Sequence, residues 1–174
     1  MILSGCQNVD SGIGVYAGSH DAYTTFNNLF EPIINDYHGH AADATHVSNM
    51  NFEELECPDF PEDEKEMIIS TRIRVGRNLA DFPLGPGISK EQRDEVEKIV
   101  SGVLTGMTGE LEGTYYPLNG MSKEDQNQLI ADHFLFKEGD RFLAAAGLNR
   151  DWPSGRGIFH NKDKTFLTWV NQED

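Results

Sequence analysis

The chain has 174 residues, of which 29 are acidic and 14 are basic, so its formal net charge is −15 at pH 7. A protein with this charge repels nucleic acids and anionic membrane surfaces, which argues against both as partners. No stretch of the sequence approaches the apolar length of a membrane span. Cys6 and Cys57 show no metal or redox spacing, which favours a reducing cytoplasm.

The first third of the chain is predicted to be helical and irregular. Residues 1–18 are rich in glycine and are expected to lack regular structure. A helix is predicted after Ser19, because apolar side chains then recur at helical spacing. Pro32 interrupts this pattern, which predicts a kink or two abutting helices. Residues 39–66 show little periodicity and are predicted to be a linker.

The next predicted element is a strand over residues 67–75, rich in β-branched residues and ended by Gly76. Side chains alternate between faces along a strand, so Ser70, Arg72 and Arg74 are expected to share one face. Two guanidinium groups beside a hydroxyl suit a polyanion, since each arginine fork donates two hydrogen bonds and keeps its charge. An edge strand with solvated arginines is the alternative. The acidity of the whole chain favours a small anionic ligand.

The rest of the chain mixes helices and strands. Two helices are predicted from N-terminal capping pairs, Ser89 with Gln92 and Ser122 with Asp125. Three strands are predicted over residues 110–116, 157–160 and 165–171. The last two flank a four-residue loop and are expected to form an antiparallel hairpin. The order of elements predicts a small helical unit joined to an α+β domain.

The glycine-rich segment Asp10–Tyr16 precedes the first predicted helix. Glycines let successive backbone N–H groups turn toward one point, and such a nest accepts a carboxylate or a phosphate. The spacing does not match a dinucleotide fingerprint and no strand precedes it. An ordinary glycine-rich loop is the alternative.

Several ionisable side chains are further candidates for binding or catalytic residues. The histidines near the linker lack a matched ligand pair and are interpreted as solvated; they are His38, His40 and His46. His133 follows a short predicted helix, and its spacing fits either a buried histidine or a ligand contact. Glu173 and Asp174 follow the last predicted strand and can act as base, positioner or ligand of cation-bound water. A polar strand end is the alternative.

Together these segments resemble the phosphagen (ATP:guanidino) kinases, and most closely the arginine-specific members of that family. The matching motifs cover residues 10–16, 30–34, 36–39, 70–77, 116–118, 120–123, 132–143, 156–161, 164–167 and 169–171. The resemblance implies an α+β fold in two parts. Residues 1–58 would be part of a small all-α N-terminal domain plus linker, and residues 59–174 the first part of an antiparallel-sheet-plus-helices catalytic domain.

The resemblance implies reversible transfer of the γ-phosphoryl group of ATP to the guanidino group of L-arginine, giving phosphoarginine and ADP, with Mg²⁺ as cofactor. The short loop over residues 11–16 and Tyr37 favour arginine over creatine. A kinase for taurocyamine, lombricine or creatine, and a non-catalytic nucleotide-binding remnant, are the alternatives. The implied partners are ATP or ADP and L-arginine. Arginine-specific members are commonly monomeric, whereas the sequence itself leaves the oligomeric state open.

The resemblance also implies roles for individual residues. The nucleotide-site residues would be Ser70, Arg72, Arg74 and His133. The loop that holds the amino-acid end of the substrate would comprise Ser11, Gly12, Ile13, Gly14 and Tyr16. Glu173 would orient the substrate guanidinium and take its proton, and Asp174 would lie near the Mg²⁺ waters. Asp10 and Arg141 would form a pair that bridges the two domains when substrates bind.

Family members continue past the position of Asp174, where they supply a reactive cysteine, further arginines and a second substrate carboxylate. They also have further helices before the Asp10 loop, and usually glutamate where this chain has Gln172. The sequence is therefore expected to be an internal fragment of a longer enzyme. Residues 1–174 alone are expected to be inactive and poorly stable, since a sheet cut after its last strand leaves an unpaired edge.

Overall fold

The computed structural model describes residues 1–56 and 59–171. Their contacts divide them into two units: one joins Met1–Thr25 to the chain from Arg77 onward, and the other is Phe26–Gly76. The α-helices in chain order are α1 (Leu3–Gln7), α2 (Ala22–Thr25), α3 (Asn27–His38), α4 (Glu62–Lys65), α5 (Lys90–Thr105), α6 (Lys123–Ala131) and α7 (Arg141–Ala146). The strands are β1 (Gly113–Pro117), β2 (Gly157–Asn161) and β3 (Leu167–Val170), and 3-10 helices cover Phe52–Glu54 and Gly109–Leu111.

A three-stranded sheet of order β1-β2-β3 forms the centre of the larger unit, and both strand pairs are antiparallel. The predicted hairpin is therefore confirmed. Its second strand begins at Leu167 rather than at Thr165, because the Asn161 side chain accepts the backbone N–H groups of Thr165 and Phe166 at 2.9 Å. These two residues turn the chain instead of joining the ladder.

Apolar clusters cover both faces of this sheet. Successive side chains of a strand point to opposite faces, so Tyr115 belongs to one cluster and Tyr116 to the other. The first cluster centres on the buried residues Ile88, Val96 and Val170. The second centres on Leu129, Phe136 and Ile158. Because α5 supplies Val96 and α6 supplies Leu129, the two helices pack on opposite faces of the sheet.

Both predicted capped helices of the larger unit are confirmed. Ser89 Oγ accepts from the Gln92 N–H at 3.2 Å, and Gln92 Oε1 accepts from the Ser89 N–H at 3.0 Å, which completes the capping box of α5. Ser122 Oγ accepts from the Asp125 N–H at 3.0 Å at the start of α6. Among the described residues, no helix has the length and apolarity that a membrane crossing requires.

The structure corrects the prediction for the N-terminal third in two places. Residues 1–18 are not wholly irregular, since α1 covers Leu3–Gln7. The helical stretch is interrupted at Phe26, between α2 and α3, and Pro32 lies inside α3. A proline inside a helix removes one backbone hydrogen bond, and α3 continues past this loss. Most of the predicted linker lacks regular structure, apart from a 3-10 turn at Phe52–Glu54 and the single turn of α4.

The strand predicted over residues 67–75 is wrong. Residues 68–79 have no regular secondary structure, and Ile69 and Ile73 are 96% and 89% exposed. A β-branched run favours an extended backbone, but a strand also needs a neighbour that accepts and donates its ladder hydrogen bonds. Within the described part of the chain, the sheet consists of β1, β2 and β3 alone. The prediction that the three polar residues of this segment share one face of a sheet is therefore not supported by the structure.

Candidate functional site

The loop Asp10–Tyr16 is held against α1. The Gly5 N–H donates to the Gly14 carbonyl at 3.3 Å, and the Tyr16 N–H donates to the Met1 carbonyl at 2.9 Å. A Cβ on Gly5 would lie 2.9 Å from the Gly14 Cα, so this close approach of two backbones requires glycine. Sequence reasoning missed the role of Gly5, because nothing in its local pattern shows which backbone it meets.

The tip of this loop faces solvent. Ile13 is 61% exposed, and a Cβ on Gly12 would meet no atom within 4 Å. Ser11 Oγ donates to the Ile13 carbonyl at 2.6 Å, which closes a tight turn at the tip. The loop therefore combines a fixed base with accessible backbone at its tip, as a site for a small ligand group requires.

A charged pair holds the start of the loop. Arg141, the first residue of α7, donates through Nη2 to the Asp10 carboxylate and through Nη1 to Asn8 Oδ1 at 3.0 Å. The Asp10 and Arg141 side chains are each 59% exposed. The hydrogen bond from Arg141 holds the pKa of Asp10 below its usual range. The two residues thus form an ion pair inside the larger unit, and their role in domain closure stays a prediction.

A second contact ties α1 to α7. The Ser4 hydroxyl, fully buried, donates to the Phe142 carbonyl at 3.0 Å. Asn8 Nδ2 donates back to the Ser4 carbonyl at 3.2 Å. Asp140 caps α7 by accepting the Phe142 N–H at 2.9 Å. The helix that carries Arg141 is therefore fixed in position on the helix that supports the loop.

His133 is exposed and follows α6 with a φ of 59°, in the left-handed region. Its neighbour Phe134 is fixed on two sides. The Phe134 N–H donates to the Leu129 carbonyl at 2.9 Å, and the Phe134 carbonyl accepts from Trp169 Nε1 at 3.0 Å. Because Trp169 belongs to β3, the segment that presents His133 is attached to the strand that leads toward Glu173.

Glu173 and Asp174, with Gln172, lie outside the described residues. The chain reaches them from Asn171, whose carbonyl accepts a hydrogen bond from Arg156 Nε at 3.2 Å. Arg156 belongs to one of the matching motifs, but sequence reasoning gave it no role. Its hydrogen-bond partners lie 2 to 15 positions away, before β2 and just beyond β3, so no helical or strand periodicity reveals them.

The predicted nucleotide-site residues fall in both units. Ser70, Arg72 and Arg74 are exposed and belong to Phe26–Gly76, whereas His133 belongs to the larger unit. The predicted substrate loop also belongs to the larger unit. Among the described residues, no group of three or more histidine, cysteine or carboxylate side chains could hold a metal ion. The roles of the predicted site residues therefore stay predictions.

Comparison with known proteins shows which protein family the chain resembles. The model of the ATP:guanido phosphotransferase N-terminal domain matches residues 1–35, and that of the C-terminal catalytic domain matches residues 95–174. An arginine kinase from Anthopleura japonica is 55% identical over 174 residues, which is 99% of this chain and 24% of that protein. Arginine kinase Lit v 2.0101 from Penaeus vannamei is 52% identical over 100% of this chain and 49% of its own length. The chain thus spans a quarter to a half of these relatives.

Solved structures agree with this similarity. A crystal structure of lombricine kinase matches with a TM-score of 0.85 and 34% identity, over 99% of this chain and 48% of that chain. The substrate-free duplicated taurocyamine kinase from Schistosoma mansoni matches with a TM-score of 0.81 and 40% identity, over 100% of this chain and 25% of that chain. The predicted α+β fold, with N-terminal-domain sequence followed by the start of a catalytic domain, is confirmed. The chain belongs to the ATP:guanido phosphotransferase family, the phosphagen kinases.

Proposed function

We propose that this protein is an arginine kinase, which reversibly transfers the γ-phosphoryl group of ATP to the guanidino group of L-arginine. One observation carries the proposal: arginine kinases are 50–55% identical to the chain over essentially its whole length. A monomeric enzyme in the cytoplasm is part of the same proposal.

The loop Asp10–Tyr16 would hold the amino-acid end of arginine. Its base is fixed by bonds to α1 and by Arg141, and its tip exposes backbone at Gly12 and Ile13. Backbone N–H groups that converge on one point bind a carboxylate well, and the α-carboxylate of arginine is such a group. Ser11, Gly14 and Tyr16 complete the proposed contact surface.

The nucleotide would be bound by Ser70, Arg72, Arg74 and His133. The two arginines are the proposed phosphate ligands, because a planar guanidinium donates two parallel hydrogen bonds to phosphate oxygens and keeps its charge. Phosphoryl transfer needs alignment and charge neutralisation more than covalent help. The arginines would supply neutralisation, and Glu173 would supply alignment by orienting the substrate guanidinium and accepting its proton.

Mg²⁺ fits this set of residues as a partner of the nucleotide. In kinases it is held chiefly by substrate phosphates and water, with one or two carboxylates. Asp174 would contact its waters. Bound Mg²⁺ would neutralise charge on the β- and γ-phosphate oxygens.

The second candidate is a kinase for another guanidine. The solved structures of lombricine kinase and taurocyamine kinase support it, since both match the fold over nearly the whole chain. Their identities of 34% and 40% lie below those of the arginine kinases. Arginine is therefore the favoured substrate.

A coupled assay with Mg²⁺ and ATP tests the proposal on the complete translation product of the coding sequence. L-arginine, taurocyamine, lombricine and creatine are compared under identical conditions. We expect the highest kcat/KM for arginine, and we expect Glu173→Gln to lower kcat by about 100- to 1000-fold, by analogy with loss of one transition-state contact. A higher kcat/KM for another guanidine would refute arginine as the substrate. Nucleotide binding without transfer to any guanidine would refute the kinase itself.

A further inference from the structure

Arg156 is a buried arginine that the proposed substrate and nucleotide contacts do not use. It directly precedes β2 and is 1% exposed. Its guanidinium donates to four backbone carbonyls at 2.7–3.3 Å: those of Leu148, Arg150, Ser154 and Asn171. The Arg150 carbonyl accepts from both Nη atoms. All five N–H groups are thus hydrogen-bonded, a set of donors that only arginine offers.

A guanidinium at this position is energetically expensive. Among the described residues, no carboxylate lies within ion-pair distance of Arg156. Burial and the nearby charge of Arg93 lower the pKa of Arg156 to about 10. The charges of Asp151 and Glu138 offset this lowering only in part, and the guanidinium lies 5.2 Å from the centroid of the Trp152 ring. A buried charge without a paired carboxylate loses much of its hydration, and an apolar side chain of similar volume is often no less stabilising. The hydrogen bonds of Arg156 therefore point to a use besides stability.

The four carbonyls link two parts of the larger unit. Three belong to the loop over residues 148–154, and the fourth lies just beyond β3. The β2–β3 ladder ends with Val170 opposite Gly157. Asn171 follows the ladder, and the bond from Arg156 Nε fixes its carbonyl. Two residues of chain reach about 7 Å at most, so the course of the backbone at Asn171 limits where Glu173 can lie.

The loop on the other side of Arg156 is itself anchored to α5. Arg93 is fully buried, and its Nη1 lies 2.7 Å from Asp151 Oδ2. Gly155 packs directly on this arginine, because a Cβ on Gly155 would lie 2.5 Å from Arg93 Cγ. Arg156 therefore connects the chain beyond β3 to a loop that is fixed on a long helix.

We propose that Arg156 is a positioning residue for phosphoryl transfer, which fixes the course of the chain after β3 and thereby aims the Glu173 carboxylate. The inference rests on the proposed function, in which Glu173 orients the substrate guanidinium. Transfer depends on alignment of the reacting atoms, and a misplacement of about 1 Å can cost about 100-fold in rate. Arg156 acts through Glu173 and has no contact with the substrate in this role.

Arg156→Lys tests the proposal, because one ammonium group keeps the charge but cannot reach Asn171 and the loop carbonyls together. Arg150→Lys is the matched control: the Arg150 side chain also binds carbonyls, those of Gly147, Pro86 and Ile88, and none of its hydrogen bonds among the described residues reaches Asn171. The measurements on the complete translation product are kcat, KM for each substrate, Tm, and amide hydrogen exchange over residues 170–174.

For Arg156→Lys we expect kcat to fall about 100-fold, with an unchanged KM for ATP and faster exchange of the amides after Asn171. For Arg150→Lys we expect a lower Tm with unchanged kcat and unchanged exchange at those amides. An unchanged kcat in Arg156→Lys would overturn the proposal. Equal losses of kcat in the two variants at equal losses of Tm would also overturn it, because a general loss of stability would then account for both.

If Arg156→Lys does not fold, Arg156→Gln is compared with Arg150→Lys instead. Glutamine removes the hydrogen bonds of the guanidinium without leaving a buried charge that has lost its partners. Failure of the proposed function has a separate signature. A wild-type protein that does not phosphorylate arginine would overturn that function and the purpose assigned to Arg156. Faster exchange after Asn171 in the Arg156 variant would still show that the arginine fixes the chain.

Discussion

The two segments proposed to contact the substrates, the loop Asp10–Tyr16 and residues 70–74, differ in what holds them in place. The loop is fixed by backbone bonds to Gly5 of α1 and to Met1, and by the guanidinium of Arg141 on α7. The arginine-bearing segment has no regular secondary structure, and Ile73 beside its arginines is 89% exposed. The loop is thus held by tertiary contacts within its own unit, whereas residues 70–74 do not belong to the three-stranded sheet.

This difference has a physical origin. A glycine-rich loop is specified by close neighbours in sequence and a few tertiary contacts, whereas a strand needs a second strand to pair with. Binding at a preformed loop avoids most of the entropic cost of ordering, whereas a segment outside the sheet is not held by ladder hydrogen bonds. Substitutions that affect the loop should therefore change the KM for arginine, and substitutions in residues 70–74 should change kcat/KM for ATP.

The largest effect is expected at the arginines. Arg72→Ala and Arg74→Ala should each lower kcat/KM for ATP by about 100- to 1000-fold, by analogy with loss of one transition-state donor. Steady-state assays on the complete translation product measure this. Lys65→Ala is the control, because it removes one exposed positive charge from the same unit. Equal, small effects in all three variants would show that Arg72 and Arg74 are not phosphate ligands.

A smaller, more specific effect is expected at the loop. Gly5→Ala should raise the KM for arginine about tenfold, a loss of about 1.4 kcal/mol, because its Cβ would lie 2.9 Å from the Gly14 Cα and displace the loop. The KM for ATP should change little. Gly102→Ala is the matched control, since a Cβ there meets no atom within 4 Å and alanine favours the helix. A raised KM for ATP with an unchanged KM for arginine would contradict the assignment of the loop.

Much of the fold could be predicted from the sequence where the determining contacts are local. The capping box of Ser89 with Gln92 and the final hairpin depend on residues within a few positions of each other, and both are confirmed. Whether residues 67–75 form a strand could not be decided from the local sequence. Their β-branched residues favour extension, but the presence or absence of a pairing strand is a long-range property.

The candidate site shows the same limit. The motif around Asp10 and the residue Arg141 were recognisable from the resemblance, and their ion pair is present. The supporting contacts were not recognisable. Ser4 binds a carbonyl 138 positions away in sequence, and Arg156 links Leu148 to Asn171 through one guanidinium. Such contacts depend on how helices and loops pack. The residue types and spacing around one position do not reveal this packing.

The smallest effect is expected at the exposed ion pair between Asp10 and Arg141, and it concerns pH. The hydrogen bond from Arg141 lowers the pKa of Asp10 in the folded protein, so folding favours the carboxylate form. This contribution to stability is present above the unfolded-state pKa of about 3.9 and is lost as the pH falls through the lower folded-state pKa. The Tm of the wild type should therefore fall more steeply below about pH 4 than the Tm of Asp10→Asn.

Thermal melts across this pH range, with Asp163→Asn in the exposed turn before β3 as the control, measure the difference. Because both side chains of the pair are 59% exposed, salt should screen their attraction, and about 1 M salt should bring the Asp10→Asn and wild-type curves together. Parallel curves at low salt would mean that the pair contributes nothing to the stability of the loop. The loop would then be held by its backbone bonds to Gly5 and Met1, and Asp10 would be left with only its proposed role in domain closure.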